Sequence, residues 1–335
     1  RAGYQMSGSN DFFGYQAGSN DFFGYQAGYG SVASAPYGSG QKNVGIGTNT
    51  LYALSTGNYN TAVGRDAGKA ITTGYSNVAI GYQSGQDMTT ALNNTLLGSK
   101  AGHNLTTGDG NVAVGSLAMS QNAGTYHSNT AVGYEALKGV ADAPGNVAIG
   151  YQALSGNAHG DYNIAIGYQV AANLGLPNYS IMIGYRAGQL ALPYNNNYQA
   201  GNQIFIGTEA GQYLGQSGKV WGDYNIFIGK SAGKWNTNGL QNTVLGHDGY
   251  GSGLGAVNHV SSSNITAIGY GAGTYTTGSN NTFVGSEAGK GGTTSAPFSS
   301  GQLNTFIGKD AGKGFTTGGY NNALGAEALD ALTTG

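Results

Sequence analysis

Metal binding and acid–base catalysis need reactive side chains that converge, so the histidines and carboxylates come first. The five histidines are His103, His127, His159, His247 and His259. They fall at different offsets within the repeat described below, so stacking would not gather them, and they read as solvated corner residues. Asp66, Glu135, Glu209, Asp248, Glu287, Asp310 and Glu327 share one offset. Paired carboxylates can act as acid and base, but a sparse outer row reads as a solubilising face. The stretch GDGNVAVGS at 108–116 has the glycine density of a phosphate loop, yet it lacks the G-K-[ST] ending and the following helix. The calcium-binding nonapeptide is missing as well. Five TTG triplets suggest a threonine array of the ice-binding kind, but they do not occur on every coil. No catalytic residue, metal site or cofactor is expected, and the chain reads as non-enzymatic.

Composition points to an architecture rather than a chemistry. Of 335 residues, 63 are glycine and 24 tyrosine, only 8% are charged, and cysteine is absent. Ordinary globular chains carry roughly 25% charged residues and about 7% glycine. Disorder normally comes with high net charge and few aromatics, whereas the net charge here is -2. Nucleic-acid binding, which needs clustered Lys and Arg, is not expected. No apolar run approaches the roughly 20 residues of a membrane helix, so no membrane insertion is expected within this chain. The chain starts inside its repeat pattern, which reads as a mature product or an excerpt of a longer polypeptide.

The repeat itself is Asn, three mostly apolar residues, then Gly, as in Asn60 to Gly64 and Asn304 to Gly308. Taking the last glycine as anchor gives 18 units, including Gly64, Gly81, Gly98, Gly115, Gly150, Gly167, Gly229 and Gly308. Most anchors are 17 residues apart within one, and five spacings are 22 or 23. A fixed unit with discrete insertions implies one coil per repeat. The expected fold is therefore all-β: a parallel β-solenoid (β-roll) of about 18 short coils with a 17-residue period. Residues 1–28 form short-period repeats, from the duplication SNDFFGYQAG at 9–18 and 19–28, and 29–335 form the regular solenoid. At about 4.8 Å per coil the rod would be on the order of 80 Å long.

Within each unit the residue before the anchor is aliphatic or Phe, and the one two places earlier is mostly Val, Ile or Thr. These share a strand face. The residue between them, such as Ala62 or Phe205, faces the other way. Both faces are apolar, so both should be buried. One fills the coil, and a second copy of the chain is the simplest partner for the other, giving an elongated homotrimer. The Ala-Gly step after the anchor suits a tight corner, and the glycine seven before it suits the opposite corner. The Asn either stacks as an internal amide ladder or forms an Asx-turn into its strand.

The runs NTAVGRDAG (60–68), NVAIGYQSG (77–85), NTAVGYEAL (129–137) and NVAIGYQAL (146–154) resemble the head repeats of trimeric autotransporter adhesins. That resemblance implies a left-handed parallel β-roll that trimerises along its length. The longer spelling TTGxxNxxxGxxAG is similar to repeats of phage tail-fibre and related surface-fibre proteins, many of which end in a self-cleaving chaperone domain. The resemblance covers about residues 40–335. The 17-residue period and the insertions depart from the adhesin head and leave coil shape and handedness open. A stalk, anchor or chaperone domain would lie outside this chain.

Insertions fall near 29–41, 189–201, 212–223, 249–263 and 290–302. Loops added to a solenoid gather on one face, often a binding face. Aromatic residues there or nearby are Tyr37, Tyr194, Tyr198, Tyr213, Trp221, Trp235 and Phe298. They could stack on sugar rings, or pack down as lids on coil edges. The functional expectation is a virion attachment fibre that contacts a host-surface glycan or protein receptor. A bacterial adhesin head on the cell surface, a self-assembling extracellular filament and a glycan-degrading tailspike are the alternatives.

Overall fold

The computed structural model describes residues 20–30, 39–121, 127–139, 143–156, 160–172, 178–189, 201–213, 223–236, 239–248, 262–292 and 299–330. Two compact units, Arg1–Tyr162 and Asn163–Gly335, divide the chain. Each holds a parallel sheet built from one short strand per coil, so the expected all-β parallel solenoid is the fold.

In the first unit the strands are β1 (Asn20–Phe23), β2 (Asn43–Ile46), β3 (Thr61–Val63), β4 (Val78–Ile80), β5 (Thr95–Leu97), β6 (Val112–Val114), β7 (Thr130–Val132) and β8 (Val147–Ile149). In the second they are β9 (Ile164–Ile166), β10 (Ile181–Ile183), β11 (Ile204–Ile206), β12 (Ile226–Ile228), β13 (Thr243–Leu245), β14 (Thr266–Ile268), β15 (Thr282–Val284), β16 (Thr305–Ile307) and β17 (Asn322–Leu324). Within each unit, successive strands pair in register, equivalent residue to equivalent residue: Ala62 opposes Ala79, and Phe205 opposes Phe227. An insertion does not shift the register. Ile183 pairs with Ile206 across a 23-residue step just as Val63 pairs with Ile80 across 17.

Strand alternation decides which face is which. In each three-residue strand the middle residue points inward and is buried, as at Ala79, Leu96, Phe205 and Phe283. Its two neighbours point outward and stay half-exposed. Inside, volume is traded between this middle position and the fourth after the anchor in most coils; where both are small, as at Ala62 with Gly68 or Ala79 with Gly85, Ile71 or Met88 fills the space. Where the middle residue is Phe205 or Phe227, the fourth residue after the anchor is Gly211 or Gly233, and a Cβ there would run into the ring of its own coil. Where the middle residue is Ala131 or Ala148, that fourth position holds buried Leu137 or Leu154. The large rings then stack between coils, with Phe205 and Phe227 centroids 5.2 Å apart and 8° from parallel. Close packing of this kind leaves no room for one added methylene without repacking.

The repeated Asn forms an internal ladder. Asn77 shows its full bonding: its backbone N–H and Nδ2 donate to Asn60 Oδ1 at 3.1 and 3.0 Å, and Nδ2 also donates to Ala91 O at 2.7 Å. Asn77 Oδ1 in turn accepts from the backbone N–H and Nδ2 of Asn94, at 3.1 and 3.0 Å. Both amide hydrogens and both lone pairs are used, so a buried amide carries no desolvation debt. In the second unit Ser180 and Gln203 occupy ladder positions, and each still accepts the backbone N–H of the next coil, at 3.1 Å in both cases. Ile265 sits in the same place with no acceptor to offer.

The corners are tighter than the sequence suggests. Among the described residues the second and fourth positions after an anchor are left-handed, for example Asp66 (φ 58°) with Gly68 (φ 55°), and Glu135 (φ 54°) with Leu137 (φ 53°). The residue five before the anchor is left-handed too, as at Tyr59, Ser76 and Asn93. Each non-glycine residue held this way costs about 1–3 kcal/mol. The stacked neighbours hold them: Asp66 N–H donates to Thr48 O of the preceding coil at 2.8 Å, and Gly68 N–H to Ser84 O of the following one at 2.9 Å. The glycine seven before the anchor differs from the corner expectation in its cause. Gly57 and Gly74 need no positive φ; a Cβ at either would press on a carbonyl oxygen of the next coil.

The anchor glycine combines both demands. At Gly269, φ is 132° and a Cβ would lie 2.5 Å from Gly285 O. At Gly325, φ is 129° but nothing lies within 4 Å of that Cβ. Gly269→Ala should therefore destabilise by about 3 kcal/mol or more, combining strain with a backbone clash. Gly325→Ala should cost only the strain, about 1–2 kcal/mol. Denaturant unfolding followed by circular dichroism compares them; equal losses would show that coil contact adds nothing to backbone strain at the anchor.

Candidate interaction surface

The outward strand face carries Val, Thr, Ile or Leu at both outward positions of nearly every coil, flanked by tyrosines. Ile46, Leu97, Ile149, Ile164, Ile228, Ile268 and Ile307 are each between 37% and 44% exposed. One flank is the position after the anchor, where Tyr82, Tyr134, Tyr151, Tyr168, Tyr185 and Tyr270 are exposed. The other is the left-handed position five before it, where Tyr59, Tyr162, Tyr179, Tyr224 and Tyr320 are more exposed still. In-register stacking turns these into columns: Tyr134 lies on Tyr151 and Tyr168 on Tyr185, both with centroids 5.4 Å apart. Arg65 caps Tyr82 with its guanidinium carbon 4.7 Å from the ring centre. Stacked rings at coil spacing present edges and hydroxyls outward rather than faces.

Among the aromatic candidates, Tyr37, Tyr194, Tyr198, Trp221 and Phe298 lie outside the described residues. Tyr213 and Trp235 hold the same offset in consecutive coils and stack on each other, centroids 4.1 Å apart and 13° from parallel. Each ring covers one face of its neighbour. Lys234 Nζ sits 5.8 and 5.7 Å from the two ring centres and is held by Glu209 Oε2 at 2.6 Å. The central parts of the five insertions also lie outside the described residues.

The left-handed corner gives the carboxylate row its partners. With the second residue after the anchor in αL, its side chain meets the lysine three residues on: Glu135 with Lys138 at 2.6 Å, Glu287 with Lys290 at 2.7 Å, and Asp310 with Lys313 at 2.9 Å. Lys313 also reaches Glu287 of the preceding coil, joining two corners into one network. Hydrogen bonds from Lys290 and Lys313 hold the Glu287 carboxyl below its usual range, and those from Lys313 and Lys309 do the same for Asp310. The same two carboxylates raise Lys313 above the ordinary lysine range. Asp223 runs the other way: burial pushes it up against one N–H bond from Gly201 at 2.8 Å.

His247 stacks on Tyr270, with Nδ1 2.9 Å from Asp248 Oδ2. His103 and His127 each lie 3.9 Å from an aspartate, Asp87 and Asp109. His159 and His259 lie outside the described residues. Among the described residues no three His, Asp or Glu side chains converge as a metal site, and no helix is long and apolar enough to cross a membrane. No family model, curated protein or solved structure matches the chain.

The ion-pair network fixes a pH dependence. Glu287 and Asp310 have depressed native values, so their contribution is present above the unfolded carboxylate range and is lost as pH falls through the native values. Melting temperature should fall as pH drops through the unfolded carboxylate range, about pH 4, and continue to fall towards the lower native values of these groups. Lys313→Met should show a shallower drop, having less to lose, while Asp223 opposes the trend slightly. Thermal melts from pH 7 to pH 2 test this; identical acid limbs in both proteins would rule the network out as a contributor.

Proposed function

We propose that this chain is a structural segment of an attachment fibre. It assembles as a homotrimer on a virion tail or appendage and contacts a host-surface glycan or protein receptor through the inserted loops. The observation that carries the reading is the outward strand face, which repeats two half-exposed apolar positions coil after coil with no covering element among the described residues. Contiguous exposed apolar surface of this extent marks a contact site. The six backbone steps from the position five before the anchor to the one after it span at most about 20 Å, and coils are about 4.8 Å apart, so nine coils offer at most roughly 860 Å². A stable interface buries about 800 Å² per partner. A further copy of the same chain offers the same flat rows at the same spacing.

The mechanism is mechanical and multivalent. Each inner coil is bonded on both sides, so force is shared along the ladder. Three copies multiply weak loop contacts through effective concentration. The carboxylates favour this over a hydrolase, because Glu135, Glu287 and Asp310 are engaged by lysines rather than facing one another. The same rows would serve a bacterial adhesin head on the cell surface equally well.

Native mass spectrometry should give a particle of three times the 33.9 kDa chain mass. A monomer would end the proposal, and open-ended fibres in micrographs would replace it with a filament. Against immobilised glycans from host cells, the trimer should bind about 10²–10⁴ times more tightly than a dissociated form. Equal affinities would remove multivalency from the mechanism.

A further inference from the structure

The outward face is not uniform along the second unit. Strands β9 to β12 all read Ile-x-Ile, whereas β13 to β16 all read Thr-x-aliphatic. In the first unit the corresponding outward position alternates between Val and Thr from β3 to β8. Nowhere else among the described residues do four consecutive coils carry isoleucine at both outward positions. Within this unit Tyr179 and Tyr224 stand on one flank of the block and Tyr168 and Tyr185 on the other, with Asn202, Thr208 and Lys230 at the remaining flank positions. Lys230 is the one charged side chain in these four outward rows.

Coil formation does not require isoleucine there. Thr243, Thr266, Thr282 and Thr305 fill the same place in equally regular strands of the same unit. The middle residues, Ala165 to Phe227, already supply the interior. Isoleucine on the outer face therefore exposes apolar surface to water without improving the coil. Such a surface is stabilising only when something covers it.

We propose that the β9–β12 isoleucine block is the locking patch through which copies of this chain first associate, with the threonine and valine rows completing the contact afterwards. This rests on the self-association reading above and adds a location and an order to it. The occupant is a second copy because the rows match one. Flat rows with isoleucine at both outward positions, repeated in register and nearly free of charge, are complementary to themselves, although only some of their flank positions hold tyrosine. Four coils present at most roughly 380 Å², about half of what a stable interface buries per partner. The patch can start the contact but needs the neighbouring rows to complete it. Two isoleucines per coil also give the densest apolar content available at β-branched positions, which keeps the strand stiff and the surface flat.

The test is a matched pair of triple variants of the full chain. One is Ile181→Thr, Ile204→Thr, Ile226→Thr. The other is Val78→Thr, Val112→Thr, Val147→Thr, which makes the same kind of change at the same offset in the first unit. Threonine occupies this offset natively, so both should keep the wild-type circular dichroism spectrum. Sedimentation over a concentration series reads the midpoint of assembly. The isoleucine set should raise that midpoint about tenfold or more, because three apolar side chains lose their burial in every copy. The valine set should move it far less. Equal shifts, or no shift with the isoleucine set, would overturn the locking patch while leaving oligomerisation standing. A wild-type chain that stays monomeric at every concentration would overturn both. If the wild type instead binds vesicles of neutral phospholipid, and the isoleucine set loses that binding with assembly unchanged, the occupant is a lipid surface and the proposal fails.

Discussion

Within each unit the structure follows from the requirement that each coil lie directly on the next, equivalent residue over equivalent residue. A parallel ladder with one short strand per coil cannot tolerate slippage, because a shift by one would turn every inward side chain outward. Three devices enforce the register. Anchor glycines let backbones touch where a Cβ would collide, as at Gly269 against Gly285. Where asparagine runs unbroken, its ladder offers each coil one amide and requires one from the next. Left-handed corners direct N–H groups alternately to the coil before and the coil after, as Asp66 and Gly68 do. Insertions are accommodated because they enter away from all three.

Much of this was legible in the sequence. Anchor spacing alone gave a solenoid with one coil per repeat, and the duplicated apolar positions gave two buried-looking faces. The asparagine question had two answers on sequence grounds; the bonds of Asn77 decide for the ladder. Which strand face points inward was also open, and Ala79 and Phe205 show that it is the middle residue.

Other features carried no local signal. Nothing in Gln83, Glu135 or Leu137 as residue types announces positive φ, because the preference is imposed by bonds to neighbouring coils and opposes intrinsic propensity. The lysine partners of the acidic row follow from that hidden corner, so the row looked solitary on paper. The pairing of Phe205 with Gly211, against Ala131 with Leu137, was readable in principle. It needed knowledge that the middle residue and the fourth after the anchor share one small interior. The aromatic candidates illustrate a different gap: Tyr213 and Trp235 are 22 residues apart in sequence, and only register places one ring on the other.

The coil-by-coil balance of interior volume has a genetic corollary. Because the bulky and the small partner mostly belong to the same 17-residue stretch, a whole repeat can be copied or deleted and bring its own fit with it. Exchanging one partner alone would leave a void or a clash, so drift inside a repeat must proceed through paired changes. Copying of whole units is therefore the easier path to a longer protein.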